Sequence, residues 1–177
     1  MSLKLRHILF GAAASALLAG PALAEKIRLL RDHDVRGCTG GTLLEIAWQQ
    51  DRVQEFFEFA ALSGFDCVEV SRGTVDIPLE EKQRLVGLAC SLGFEVFAEV
   101  GSKDPEDLVS AAAWVAEAEA DVAAGATWVV TEGRESGTVG LYDARGAVRE
   151  DLLDELTAIP DAGRIVYEAP QRAQQAH

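Results

Sequence analysis

Apolar residues in this chain come in two rhythms. Short runs over Phe65 to Ser71, Phe94 to Val100, Ala126 to Val130 and Arg164 to Ala169 break off on charged or small residues. These read as buried strands, and the longer stretches between them carry helical spacing. A first strand is expected over Leu3 to Phe10. A small-residue loop follows, and then a helix over Ala22 to His33 with Ile27, Leu29 and Leu30 toward the core. A strand over Val35 to Thr39 runs into Gly40-Gly41-Thr42. Thr42 and Glu45 have the spacing of a capping box for a helix that continues to about Leu62. Leu44, Ala47, Trp48, Phe56, Phe59 and Ala60 are its candidate core residues, Trp48 as packing, and Gly64 stops it. On the strand that follows, Cys67, Glu69 and Ser71 share one face and Val68 and Val70 the other. Pro78 opens a helix to Ser91, closed by Gly93. Pro105 opens another to about Ala124. Gly140 to Ala147 reads as a polar turn, Glu150 to Ile159 as a helix, and Gln171 to His177 as a polar tail.

Strand and helix thus alternate five times after the N-terminal segment, at roughly thirty residues per unit. That rhythm predicts an α/β fold of parallel strands with helical crossovers, in a single domain over 1–177. No linker or low-complexity tract interrupts it.

The N-terminus carries a second reading. Lys4, Arg6 and His7, the apolar stretch Ile8 to Ala19 and Ala22-Leu23-Ala24 have the layout of a secretory signal. The apolar run is too short to span a bilayer.

Composition narrows the function. The 177 residues include 29 acids against 16 lysines and arginines, a formal net charge of −13. Non-specific nucleic-acid binding, which depends on neutralising phosphates, does not fit that balance. A small anionic substrate remains compatible with it, because a local cationic cluster with a metal ion reverses the field. Cys38, Cys67 and Cys90 lack metal-ligand spacing and read as buried reduced thiols. His7, His33 and His177 are scattered.

The chemistry gathers at strand ends, where parallel α/β folds bind ligands. Glu99, Glu132 and Glu168 each end an apolar strand. Converging at one mouth they would repel one another, and a divalent cation relieves that repulsion. Hard oxygen ligands with few histidines suit magnesium. The alternative is that each acid pairs with a neighbouring Lys or Arg. Lys103 stands beside Glu99 as a titrating group or an ion-pair partner. In Glu132-Gly133-Arg134-Glu135-Ser136-Gly137, Arg134 offers a planar fork for carboxylate or phosphate, and Gly133 and Gly137 let backbone N–H groups approach an anion. Gly41, Thr42, Ser71 and Ser136 complete the candidate substrate contacts.

The ordered motifs Gly40-Gly41-Thr42-Leu43-Leu44-Glu45, Gly64-Phe65-Asp66-Cys67-Val68-Glu69-Val70-Ser71-Arg72-Gly73-Thr74, Glu99-Val100-Gly101-Ser102-Lys103-Asp104, Glu132 to Gly137 and Tyr167-Glu168-Ala169-Pro170-Gln171-Arg172-Ala173-Gln174-Gln175 resemble those of the phosphosulfolactate synthase family. Plant heat-stress-associated proteins are among that family's relatives. The resemblance implies a (β/α)8 barrel that adds sulfite to phosphoenolpyruvate with magnesium, giving (2R)-phospho-3-sulfolactate on the way to coenzyme M. It implies metal ligation by Glu99, Glu132 and Glu168, proton donation by Lys103 and anion binding by Arg134. Phe10-Gly11 and the segment after it also resemble a family strand and helix, which favours an uncleaved, cytoplasmic protein over a secreted one. Three departures stand out. Arg72 replaces a usual Asp, Gly133 replaces a usual Ala, and about six of eight strands are expected, with the first and last missing. Open sheet edges then predict a homo-oligomer. A non-catalytic stress-related or ligand-binding barrel is the alternative activity.

Overall fold

The structure, a computed structural model, describes residues 21–102 and 109–177. The strand expected over Leu3 to Phe10, Lys103 and the expected helix start at Pro105 lie outside the described residues. Helix α1 spans Pro21–Asp32, α2 Gly41–Gln49 and α3 Val53–Ser63, followed by strand β1, Cys67–Val70. Then come α4 Leu79–Ser91, β2 Glu95–Val100, α5 Ala111–Ala124, β3 Trp128–Thr131, α6 Glu150–Ala158, β4 Ile165–Tyr167 and the short α7, Arg172–Gln175.

All pairings in the sheet are parallel, in the order β1-β2-β3-β4. In the described residues, sequential parallel strands joined by helices form part of a (β/α)8-type barrel. Its C-terminal strand ends therefore all open on one side. Val68 and Val70 are buried with Phe56, Phe57, Leu85 and Val96 in one cluster, and Val100, Trp114, Val129 and Leu152 anchor a second.

Four elements differ from the expectation. Val35 to Thr39 makes a single bridge, Cys38 to Cys67, in place of a strand. Asp34 at φ 57° turns the chain just before it, and Gly37 closes onto Ile27. The long helix after Gly40 is broken at Asp51, which adopts φ 57°. No apolar residue between Trp48 and Val53 gives that turn a face to bury, and Asp tolerates the left-handed region. Helix α5 starts at Ala111, where the Ser110 side chain accepts from the Ala113 N–H. The polar tail forms α7, closed by a capping box between Gln171 and Gln174.

The capping box expected from Thr42 and Glu45 is replaced by other contacts. Gly40 is the N-cap of α2, and no side chain caps it. Glu45 is fully buried and accepts from the Thr74 and Val75 N–H groups at 2.7 and 2.6 Å, and from the Ser71 hydroxyl. Three donors in the loop after β1 outcompete one N–H at the helix head. Glu45 thereby shapes that loop.

Candidate active site

A cavity of about 1070 Å³ opens at the C-terminal ends of the strands. Thr42 precedes it on α2, and Thr74 comes from the loop after β1. Glu99 comes from β2, and the segment after β4 adds Glu168, Ala169 and Pro170. The β3–α6 loop supplies Glu132, Arg134, Glu135 and Ser136. The three strand-end acids thus line one space with Arg134, Ser136 and Thr42. Glu99 and Glu132 are buried, and Glu168 is half-buried.

The loop after β3 is held by its own acids. Glu132 Oε1 accepts from the Arg134 N–H at 2.7 Å, folding the chain so that Arg134 takes φ 47°. The Glu132 N–H donates to the Val100 carbonyl and its own carbonyl accepts from the Leu141 N–H. Glu168 Oε2 accepts from the Gly133 N–H at 2.9 Å, and the Tyr142 hydroxyl donates to the Glu168 carbonyl. Burial pushes the Tyr142 phenol up, with the Glu168 charge adding to it. A Cβ at Gly133 would stand 3.1 Å from Glu168 Cβ, a tight approach. Glycine there lets the β4 end pack close against this loop.

Gly41, Ser71 and Gly137 stand behind the cavity wall. The Gly41 N–H donates to Glu69 Oε1 at 2.9 Å, and a Cβ on Gly41 would lie 2.1 Å from Ser71 Oγ. Ser71 is fully buried on Glu45. Both residues support the wall that carries Thr42 and Thr74. Gly137, at φ 61°, sits against Gln174, whose amide donates to the Gly137 carbonyl at 2.8 Å and to Gly146 at 3.0 Å. Gln171 donates to the Ser136 carbonyl. The β3–α6 loop is therefore tied to α7, in the stretch where the sequence pattern predicts a polar tail.

Arg72 does not line this cavity. Its Nε donates to Glu117 of α5 at 3.3 Å and its Nη1 to the Ile77 carbonyl. Behind it the fully buried Lys82 of α4 meets Glu117 and Asp121, each at 2.6 Å. Burial pushes the Asp121 carboxyl up to about 6, against the pull of Lys82. The charge reversal at residue 72 is thus absorbed by an ion network beside the site.

The chemistry of the donor set suits a hard cation. Four carboxylates, Glu99, Glu132, Glu135 and Glu168, line the cavity, and Arg134 is the cationic side chain among its described lining residues. No three acidic, His or Cys side chains among the described residues converge closely enough to cage an ion alone. Magnesium rarely needs such a cage, since it is held by one or two carboxylates with water and substrate oxygens completing its shell.

Comparison with known proteins fixes the family. The sequence model of the (2R)-phospho-3-sulfolactate synthase family matches residues 6–177. The chain belongs to the phosphosulfolactate synthase family. It is 44% identical over 173 residues to the phosphosulfolactate synthase of Methanothermobacter thermautotrophicus, covering 96% of this chain and 67% of that protein. The corresponding synthase of Methanocaldococcus jannaschii is 37% identical over 169 residues, covering 94% and 67%. That of Bacillus subtilis is 38% identical over 157 residues, covering 86% and 62%. The chain spans about two thirds of the length of these phosphosulfolactate synthases. Among the described residues, no helix is long and apolar enough to cross a membrane.

Proposed function

We propose that this chain is a phosphosulfolactate synthase, joining sulfite to phosphoenolpyruvate to give (2R)-phospho-3-sulfolactate. One observation carries the reading: in a chain of this family, Glu99, Glu132, Glu168 and Arg134 line a single strand-end cavity. Arg134 offers paired N–H donors to the phosphate or carboxylate of one anion. Thr42 and Ser136, from α2 and the β3–α6 loop, add hydroxyls. The sulfite lone pair forms a C–S bond at the methylene carbon, and the displaced π electrons move toward the carbon bearing phosphate and into the carboxylate. Lys103, which follows Glu99 in the same motif, delivers a proton to that carbon. No bond to phosphate breaks, so the product keeps the ester. One or two of Glu99, Glu132 and Glu168 would hold magnesium, with water and substrate oxygens completing its shell; bound there, it would supply charge neutralisation as the substrate carboxylate gains electron density.

The family similarity runs through the signal-like stretch from residue 6 onward, which supports an uncleaved, cytoplasmic protein. Incubation with phosphoenolpyruvate and sulfite, followed by 13C and 31P NMR, tests the activity. The vinylic carbon should become a sulfonate methylene with the phosphate ester retained. Lys103→Ala should bind magnesium and lack turnover. Ligand binding with no sulfonate product under any magnesium concentration would favour the non-catalytic barrel.

A further inference from the structure

Lys82 has the wrong chemistry for its position. It occupies the core-facing stripe of α4 with Leu85, Val86 and Ala89, and its side chain is fully buried. Its ammonium group has three donors, and all three are used. Two go to Glu117 and Asp121, and the third goes at 2.7 Å to the main-chain carbonyl of Glu99. Glu117 and Asp121 occupy matching core-facing positions on α5, beside Trp114 and Ala118. Arg72 supplies the second positive charge, so two cations meet the two buried anions, with the exposed Asp76 3.7 Å from Arg72.

Buried ion networks are a poor route to stability. Desolvating the charges costs about as much as their attraction returns, and apolar replacements of similar volume are often neutral or stabilising. What this network does that leucines could not is grip one carbonyl at the end of β2. That strand end is fixed from two further sides. Gly101, at φ 115°, leaves no room for a Cβ, which would lie 2.5 Å from the Trp114 ring. The Val100 carbonyl accepts from the Glu132 N–H at 2.9 Å. The ends of β2 and β3 that carry Glu99 and Glu132 are thereby held side by side.

We propose that Lys82, fixed by Glu117 and Asp121, is a positioning residue of the site: it pins the β2 end and so sets where Glu99 stands against Glu132. The proposal rests on the reading of Glu99 and Glu132 as working acids of the cavity. Lys82 touches neither substrate nor metal in this scheme. It acts through the backbone of Glu99, as outer partners of metal-binding groups do.

The test uses the full chain with Lys82→Met and Asp121→Asn together, which removes one charge of each sign and leaves the Arg72–Glu117 pair. A merely structural network would change the melting temperature and nothing else. The proposal expects magnesium affinity, measured by calorimetry, to fall by about tenfold or more, and protection of the Glu132 amide against hydrogen exchange to fall by a similar factor. Protection of the helical amides of α4 and α5 should be kept. Turnover should fall through kcat as the acids of the site lose their placement. Magnesium affinity and Glu132 protection within twofold of the parent would overturn it. If the double variant does not fold, Asp121→Asn alone should show the same two losses at about threefold, and unchanged values would again overturn the proposal. If the parent binds magnesium but forms no sulfonate, the synthase reading fails. The positioning proposal is then decided by affinity and exchange alone.

Discussion

At residue 72 the structure reverses the meaning of a sequence difference. Read along the chain, Arg72 in place of Asp puts the wrong charge near the mouth. In the fold it lies outside the lining of the cavity and pairs with Glu117. Arg72→Asp should therefore harm the protein, because the network would hold one cation, Lys82, against three anions. Urea unfolding should show a loss of about 2 kcal/mol, below the cost of breaking a fully buried pair since Arg72 is partly exposed. Adding Glu117→Gln should recover part of it. A neutral Arg72→Asp would contradict the assignment. Asp121 carries a pH dependence of definite sign. Its folded carboxyl is raised by burial from 3.8 to about 6, so the folded state keeps a proton that the unfolded state has released. Its contribution to stability is full below about pH 4 and is lost as pH rises to about 6. The melting temperature of the parent minus that of Asp121→Asn should accordingly shrink between those two values. A constant difference would show that Asp121 does not titrate there.

Among the elements, the parallel strands and the helices between them were legible, because each strand is a short apolar run and each helix has a long apolar stripe. The strand-end acids were legible for the same reason, as charges that terminate buried runs. The supporting residues were harder. Glu45 was read as a cap because its three real donors lie across the sequence, in the loop after β1. Lys82, Glu117 and Asp121 did leave a trace, as charges on the i, i+3, i+4, i+7 stripe of their helices. Gln174 breaks no period, since it stands in a polar stretch, and only the motif over Tyr167 to Gln175 contains it. It nevertheless ties α7 to the loop bearing Arg134. Gln174→Ala removes donors from the carbonyls of Gly137 and Gly146 and should cost about 1–3 kcal/mol in chemical denaturation. It should also raise KM for phosphoenolpyruvate more than it lowers kcat. The reverse pattern would mean that the clamp serves catalysis and not anion binding.

For the molecule as a whole, the fold gathers groups from α2, the β1 loop, β2, the β3–α6 loop and the segment after β4 around one cavity. The N-terminal segment is part of the family match, so intact mass from the native host should include it; a mature form starting at Glu25 would favour the secreted reading. The central claim is that the cavity itself joins sulfite to phosphoenolpyruvate. Its most direct test is sulfonate formation by the parent and by Glu132→Gln, run side by side with magnesium at matched folded concentration. The account predicts phosphosulfolactate from the parent and a loss of at least about a hundredfold in the variant, the scale expected when a transition-state charge loses its stabiliser. Equal rates in the two proteins, or no product from a folded, magnesium-bound parent, would contradict it.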